Sequence, residues 1–514
     1  MFIKKTKYIV ILLYLVGFFE VLPIGFLGLM PLDQSMIFEG AGRIMRGEVP
    51  FQDFYLSHGL VPCYMQVFFF KVFGVHWYSY VIHASTVNGF FVLLVFYFLS
   101  NFHPDWKKWN IFLSIFSGWL FYPFIGTPYP ENHAVFFGLL AVFFLLLSIR
   151  GKYGGLYLVF PCFFLSYFSK PIPAIFFLLS MAILVLFNPK CFFPKNIVTI
   201  LIGLFVTSVI FIMLIGIGNF DNFLYYYVQL PSSMGLDRIS NSGIILWILK
   251  IFYLLPLSII FILLFLLYHV IENFHAILNG IFLYRAKEMI CLSVSLILIC
   301  VAFAALTNNQ FMNSFGILFI AFGILFPYLV EHYQLPLTFK GAGILLFSIV
   351  SMTFMMDAVR FTKIIVQRNC NDMIFDYSNL HNYSKDLGLY YQIPDQCKIA
   401  LPDLEKVLSF LRAQQEPFCY FGDLSILNTY LCNKSPFPSI LFHYGLTVPP
   451  RGTKKFAEYR KVLENNIKNF RIKYLVIESE KSWMGVSVND FFSKDVLSNQ
   501  RTESFGNYVI INLH

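Results

Sequence analysis

The chain has 514 residues, 58% of them hydrophobic and 63 of them Phe, and only 13% are charged; its mean hydropathy is +0.69. A soluble domain is excluded, because most side chains of such a chain would find nothing apolar to pack against except lipid. The formal net charge of +9 does not indicate a nucleic-acid partner, since the basic residues are spread through short connections between apolar runs, where they set membrane topology.

In chain order, apolar runs of spanning length fall near 8–30, 79–100, 109–126, 133–149, 156–169, 171–188, 196–218, 244–268, 289–306, 314–330 and 341–357. They predict a polytopic α-helical membrane protein with about 11 transmembrane helices over residues 1–357. With Lys4, Lys5 and Lys7 cytoplasmic, alternate connections on that side hold Lys107, Lys108, Arg150, Lys152, Lys190, Lys195, Arg285, Lys287 and Lys340, as the positive-inside rule requires. An odd number of spans then puts the C-terminal part outside the cytoplasm. The first run is long and is not followed by a small-residue cleavage site, so it is expected as a retained helix and not as a removed signal peptide.

Between the first two runs lies the densest polar stretch of the N-terminal part, PLDQSMIFEGAGRIMRGEVPFQDFYLSHGL (31–60). It is expected as an outer catalytic loop, because polar groups kept at a membrane boundary are functional candidates by default. A helix over 8–30 rises roughly 34 Å at ~1.5 Å per residue, which brings Asp33 to the outer lipid boundary. Alternation puts Thr127, Tyr129, Glu131, Asn132 and His133, then Lys170, then Asp221 to Arg238, and then Thr307 to Gln310 on the same face. Glu20, in the middle of the first run, is expected to face other helices as a hydrogen-bonded acid. Asp53 is expected to fix the turn after Pro50, and Asp33 also suits an N-cap for a helix beginning near Ser35.

Beyond the last run the composition changes. CKIALP (397–402), FCYFGD (418–423), KYLVIES (473–479) and NYVIINL (507–513) are short strand-like runs alternating with amphipathic stretches at 403–415 and 454–470. Residues 358–514 are therefore expected as an extracytoplasmic α/β domain. Its Cys370, Cys397, Cys419 and Cys432 allow disulfides in three connectivities.

A face that meets both a lipid headgroup and a water-borne acceptor suits transfer of a sugar from a polyprenyl-phosphate donor. That chemistry needs a carboxylate to take the proton of the attacking hydroxyl and cations to hold the departing phosphate. Asp33 is the candidate base and Glu131 the second carboxylate. Lys170, Arg43, Arg46, His58 and Arg238 are the candidate phosphate or substrate partners. Arg43 and Arg46 lie three apart, on one helical face, and are an exception to the charge rule in an outer connection.

In these features the chain resembles the GT-C superfamily of membrane glycosyltransferases, in particular the bacterial relatives of protein O-mannosyltransferases and of the lipid A aminoarabinose transferase. The resemblance rests on an Asp just after the first helix, on GRIMRGEVPFQDFYLSHGL, on ten or more spans, and on FCYFGDLSILNTYLCNKSPFP (418–438) in the C-terminal part. It implies a glycosyltransferase in the cytoplasmic membrane that uses a polyprenyl-phosphate sugar, with a lipid, polysaccharide or protein as acceptor. Asp33 then matches the first-loop catalytic Asp and Glu131 the acid common in the second loop. Two departures are Gln34, where many relatives have Glu, and Leu60, where many have Pro. Metal use differs among these enzymes, so the resemblance leaves a divalent ion open. The alternatives are a flippase or transporter of lipid-linked saccharides, which favours repeated halves and mid-membrane charge, and an O-antigen polymerase or ligase, whose key loop comes late in the chain.

Overall fold

A computed structural model describes residues 2–26, 31–122, 126–151, 155–187, 194–216 and 218–233, scattered positions between 317 and 331, then 382–384, 389–391, 401–478 and most of 482–513. The expected spans 244–268, 289–306 and 341–357 lie outside the described residues. Among those described, the helices are α1 (Phe2–Gly25), α2 (Pro31–Met45), α3 (Leu60–Phe73), α4 (Trp77–Phe102), α5 (Lys107–Trp119), α6 (Pro130–Ile149), α7 (Leu156–Ser169), α8 (Pro171–Phe187) and α9 (Pro194–Ile215). A short helix α10 (Phe220–Phe223) continues into a π-helical turn over Leu224–Gln229.

Four of these helices are long and apolar enough to cross a membrane: Lys7–Gly25, Trp77–Phe102, Pro130–Ile149 and Val198–Ile215. At ~1.5 Å per residue the 26 residues of α4 rise about 39 Å, more than a hydrocarbon core needs. The connection after α1 differs from expectation: the helix expected to begin near Ser35 within a loop starts at Pro31 as α2, and α3 is absent from the apolar runs because it is short and carries Gln66 and Lys71.

Several polar groups inside the bundle are matched across helices, as a lipid environment favours. Asn88 of α4 donates to the Gly17 carbonyl at 2.7 Å and to Glu20 at 3.2 Å, so Glu20 faces its helical neighbours. At the end where α4 stops and α5 begins, Arg150 donates to the Asn101 carbonyl at 2.8 Å and covers the Phe102 ring. The other end of α6 points away from that cluster, and there α7 breaks at Lys170. The break has a simple cause: Pro171 has no N–H and forces its predecessor out of the helical region, and Lys170 is extended at φ −158, ψ 125.

The C-terminal part holds helices α11 (Leu401–Gln414), α12 (Ile426–Tyr430) and α13 (Lys454–Asn469) with a four-stranded sheet. Its strands are β3 (Phe418–Phe421), β4 (Tyr474–Ile477), β5 (Thr502–Phe505) and β6 (Tyr508–Asn512), in the order β3-β4-β6-β5. A separate hairpin pairs β1 (Asn382–Ser384) with β2 (Leu389–Tyr391). The β3–β4 pair is parallel and the others antiparallel. Leu401 and Pro402, expected to close a strand, instead open α11, where Pro is tolerated because first-turn N–H groups have no helical partner. Cys419 and Cys432 are free thiols, and Cys370 and Cys397 lie outside the described residues. One apolar core runs from Phe38, Phe70 and Trp77 into Phe418, Phe437 and Tyr459, which welds this part to α2 and α3.

Candidate functional site

Three chain breaks meet at the end of the bundle that faces the C-terminal part. The first is the start of α2. Tyr80 of α4 donates its hydroxyl to the Gln34 carbonyl at 2.9 Å, and the same hydroxyl lies 3.4 Å from the Pro128 carbonyl. That bond ties the first turn of α2 to the peptide leading into α6. Asp33 lies in this first turn, so it is not the N-cap of a helix beginning near Ser35; its side chain lies outside the described part of the structure.

The second break is the start of α6, where Pro130 occupies the first turn and Glu131 follows it, fully buried. An acid here is favoured by the helix dipole. The third is the end of α7, where Lys170 projects from the interrupted helix and forms an ion pair with Glu131. The two were expected on one face from separate connections, and the fold joins them.

His58 belongs to the same group. The Gly59 N–H donates to the Ser169 carbonyl at 2.8 Å, which latches the His-Gly turn onto the residue before Lys170. Gly59 has φ +82, and a Cβ there would stand 3.0 Å from Met36 and 3.5 Å from Pro130, between α2 and α6. Only Gly meets both demands cheaply. The His58 imidazole shares a 2.8 Å hydrogen bond with the Ser57 hydroxyl. Burial, and then the neighbouring Lys170 charge, hold its pKa well below the usual histidine value, so it is neutral at pH 7.

Beneath Glu131 the α6 N-terminus is clamped by a chain that sequence reasoning did not find. Asn132 donates to the Phe121 carbonyl at 2.7 Å. His133 and His83 face one another through their Nε2 atoms at 3.0 Å, His83 Nδ1 meets Gln66 Oε1 at 2.9 Å, and Tyr122 meets His133 Nδ1 at 2.8 Å. All five side chains are buried. The available signal was weak, since Gln66 shares its apolar stretch with Lys71, and His83 shares its own with Ser85, Thr86 and Asn88.

Arg43 and Arg46 are placed elsewhere. They lie about 14 Å or more along α2 from Gln34 by helical rise, and their donors go to a closed network. Arg43 Nε meets Glu39 Oε1 at 3.1 Å, its Nη1 donates to the Phe437 carbonyl at 2.9 Å, and Glu48 lies 3.8 Å away. Arg46 reaches Glu39 at 3.4 Å and Glu48 at 3.3 Å, while Thr429 donates to Glu39 Oε2 at 2.5 Å. Burial raises the Glu39 pKa against the pull of Arg46 and Arg43. At Gly42 a Cβ would come within 2.0 Å of the Thr429 hydroxyl, so glycine is what lets α12 approach α2. The network docks the C-terminal part.

Asp53 accepts from the Val49 N–H at 2.7 Å and fixes that turn. Tyr55 donates its N–H to the Pro438 carbonyl at 2.7 Å and stacks on Tyr226 at 3.7 Å. Arg238 and Thr307 to Gln310 lie outside the described residues. Among the described residues, no three His, Cys, Asp or Glu side chains come together as a metal-holding group.

Fold and composition define a polytopic helical membrane protein with an α/β part docked at one end of its bundle. The chain is similar to the crystal structure of ArnT from Cupriavidus metallidurans bound to undecaprenyl phosphate, with a TM-score of 0.54 and 10% sequence identity over 99% of this chain and 98% of that one. At that identity the likeness establishes the fold, and it does so over essentially the whole length of both chains. No family model and no curated protein matches the chain.

Proposed function

We propose that the chain is a GT-C-type glycosyltransferase that moves a sugar from a polyprenyl-phosphate donor to an acceptor hydroxyl at the outer face of the cytoplasmic membrane. One observation carries the reading: the first turn of α2, the Glu131–Lys170 pair and the His58 turn converge at one end of the bundle. They do so in a fold shared with a protein whose structure holds undecaprenyl phosphate. The positive connections at Lys107, Lys108 and Arg150 belong to the opposite end, which supports an outer site.

In this mechanism the Asp33 carboxylate takes the acceptor proton as the acceptor oxygen bonds to the anomeric carbon. The bond from that carbon to the phosphate oxygen breaks, and the polyprenyl phosphate departs with the electron pair, so the anomeric configuration inverts. Lys170 meets the growing charge on the phosphate, and neutral His58 supplies one hydrogen-bond donor without bringing a second cation beside Lys170. Glu131 orients Lys170. Arg43 and Arg46 act on the site only through the position of α2.

The test compares cells lacking the protein with cells expressing Asp33→Asn at wild-type level. Both should lose the same sugar from the envelope glycans or glycolipids. Wild-type glycans in the Asp33→Asn cells would remove Asp33 as the base and with it the central assignment.

A further inference from the structure

The C-terminal part has a cleft of about 640 Å³ lined by Tyr444, Arg451, Gly485, Ser487, Asn489 and Asp490. Its polar groups are built into a rigid frame. Arg451 Nε donates to the Tyr444 hydroxyl at 2.8 Å, and Arg451 Nη2 meets Asp490 Oδ1 at 2.5 Å. Tyr444 donates to the other carboxylate oxygen of Asp490, which also accepts the Ser487 N–H at 2.8 Å. The Asp490 side chain is only 8% exposed whereas that of Arg451 is 57% exposed, so a buried anchor holds an open guanidinium in place. Burial of the Tyr444 ring and its bond to Asp490 raise the phenol pKa to about 12, which keeps the hydroxyl protonated.

The charges of Arg451 and Asp490 cancel, so the cleft offers no net attraction to a phosphate or a metal ion. What it offers is a partly exposed Tyr444 ring covered by the Arg451 guanidinium at 5.4 Å from its centroid, beside fixed planar hydrogen-bonding groups and the amide of Asn489. That set matches a neutral polyhydroxylated ring, whose C–H face packs on the exposed guanidinium–Tyr444 stack while its hydroxyls meet donors and acceptors at the edge.

Position supports the same conclusion. The Tyr55 N–H, three residues before His58, bonds the Pro438 carbonyl, and the chain continues from there to Tyr444. From the other side, α13 begins three residues after Arg451 and sets Lys455 over the Tyr225 ring at 5.3 Å. The cleft is thus borne on two segments of the C-terminal part that each touch the helical part, one of them next to the His58 turn.

We propose that this cleft is an acceptor subsite that binds a neutral sugar unit of a glycan. The proposal rests on the glycosyltransferase reading for the word acceptor, but its binding test does not need transfer. Full-length protein purified in detergent is applied to a printed array of bacterial envelope oligosaccharides, and retention is measured for wild type, Asp33→Asn, Tyr444→Ala and Asn489→Ala. Wild type and Asp33→Asn should retain the same saccharides equally. Tyr444→Ala should lower retention about tenfold or more and Asn489→Ala about threefold, with Asn489→Ala deciding the matter if Tyr444→Ala fails to fold. No retained saccharide, or equal retention by wild type and Asn489→Ala, overturns the subsite. Loss of transfer in Asp33→Asn with array binding intact separates its fate from that of the catalytic reading.

Discussion

Two charged clusters in this fold differ in kind. The first, Glu39, Arg43, Arg46 and Glu48, comes from one helix and the turn after it, balances to zero charge, and ends on Thr429 and the Phe437 carbonyl. The second, Glu131 with Lys170, comes from two elements at a helix start and a helix break, with His58 and the first turn of α2 beside it. Residue type does not separate them, since each pairs Glu with a basic side chain. What separates them is where the pair terminates. A network that closes on the backbone of another part is a joint, because buried ions without full partners are too costly to keep there. A pair at the ends of interrupted helices makes no such joint, and under the proposed function Lys170 is its member that meets the substrate.

Breaking the joint should give the largest loss of stability. Arg43 is 1% exposed and its Glu39 partner is fully buried, so Arg43→Ala leaves a buried carboxylate short of its partner and should cost about 3–5 kcal/mol. Denaturant or thermal unfolding in detergent measures this, with the specific activity of the folded fraction within about threefold of wild type. A stable Arg43→Ala protein with transfer abolished would move Arg43 into the site.

Lys170→Gln reverses the pattern. Removing one pre-set donor from a developing negative charge typically costs about 10²–10³ in rate, so transfer should fall roughly a hundredfold or more at substrate saturation. Because Gln at position 170 keeps an N–H donor for the buried Glu131 carboxylate, the stability loss should be smaller than for Arg43→Ala. Normal turnover by Lys170→Gln would leave the phosphate role without its cation.

How much of this difference was legible in the chain follows from the range of each signal. The apolar runs 79–100, 133–149, 156–169 and 171–188 lie within two or three residues of α4, α6, α7 and α8 at most of their ends, because helix periods and Pro breaks are local. Arg43 and Arg46 read as substrate partners because they, Glu39 and Glu48 look solvated until Thr429 and Phe437, almost 400 positions away, come to cover them. The same limit hid the His83–His133 contact, since neither residue has a local reason to face the other. Shared membrane face was accessible from alternation alone, and that placed Glu131 beside Lys170. Alternation carries no depth along a helix, and so it could not part Arg43 and Arg46 from the start of α2.

A pH scan sharpens the second cluster. The His58 pKa is depressed below its ordinary value of 6.5 by burial and then by Lys170. For a group with a lowered folded pKa, protonation favours the unfolded chain, so its contribution is present above pH 6.5 and is lost as pH falls from there toward the folded pKa. Wild-type melting temperature in detergent should therefore drop between pH 7 and pH 5, and His58→Gln should flatten part of that drop. Equal slopes for the two proteins would mean that His58 is not held neutral by the fold.

The smallest expected effect isolates burial as the variable. Arg460 and Glu464 on α13 have the same spacing of four residues as Glu39 and Arg43, at 3.5 Å, but their side chains are 45% and 56% exposed. In water the pair gains little Coulomb energy and must also order two long side chains, so such helix pairs are typically worth about 0.3–0.5 kcal/mol. Arg460→Ala should then shift unfolding by no more than that amount and leave transfer unchanged, about a tenth of the effect of Arg43→Ala. Raising the salt concentration should erase the Arg460 effect and leave the Arg43 effect standing, because screening reaches the exposed pair and not the enclosed one. Equal destabilisation by the two substitutions would show that spacing, and not enclosure by Thr429 and Phe437, sets the strength of the joint.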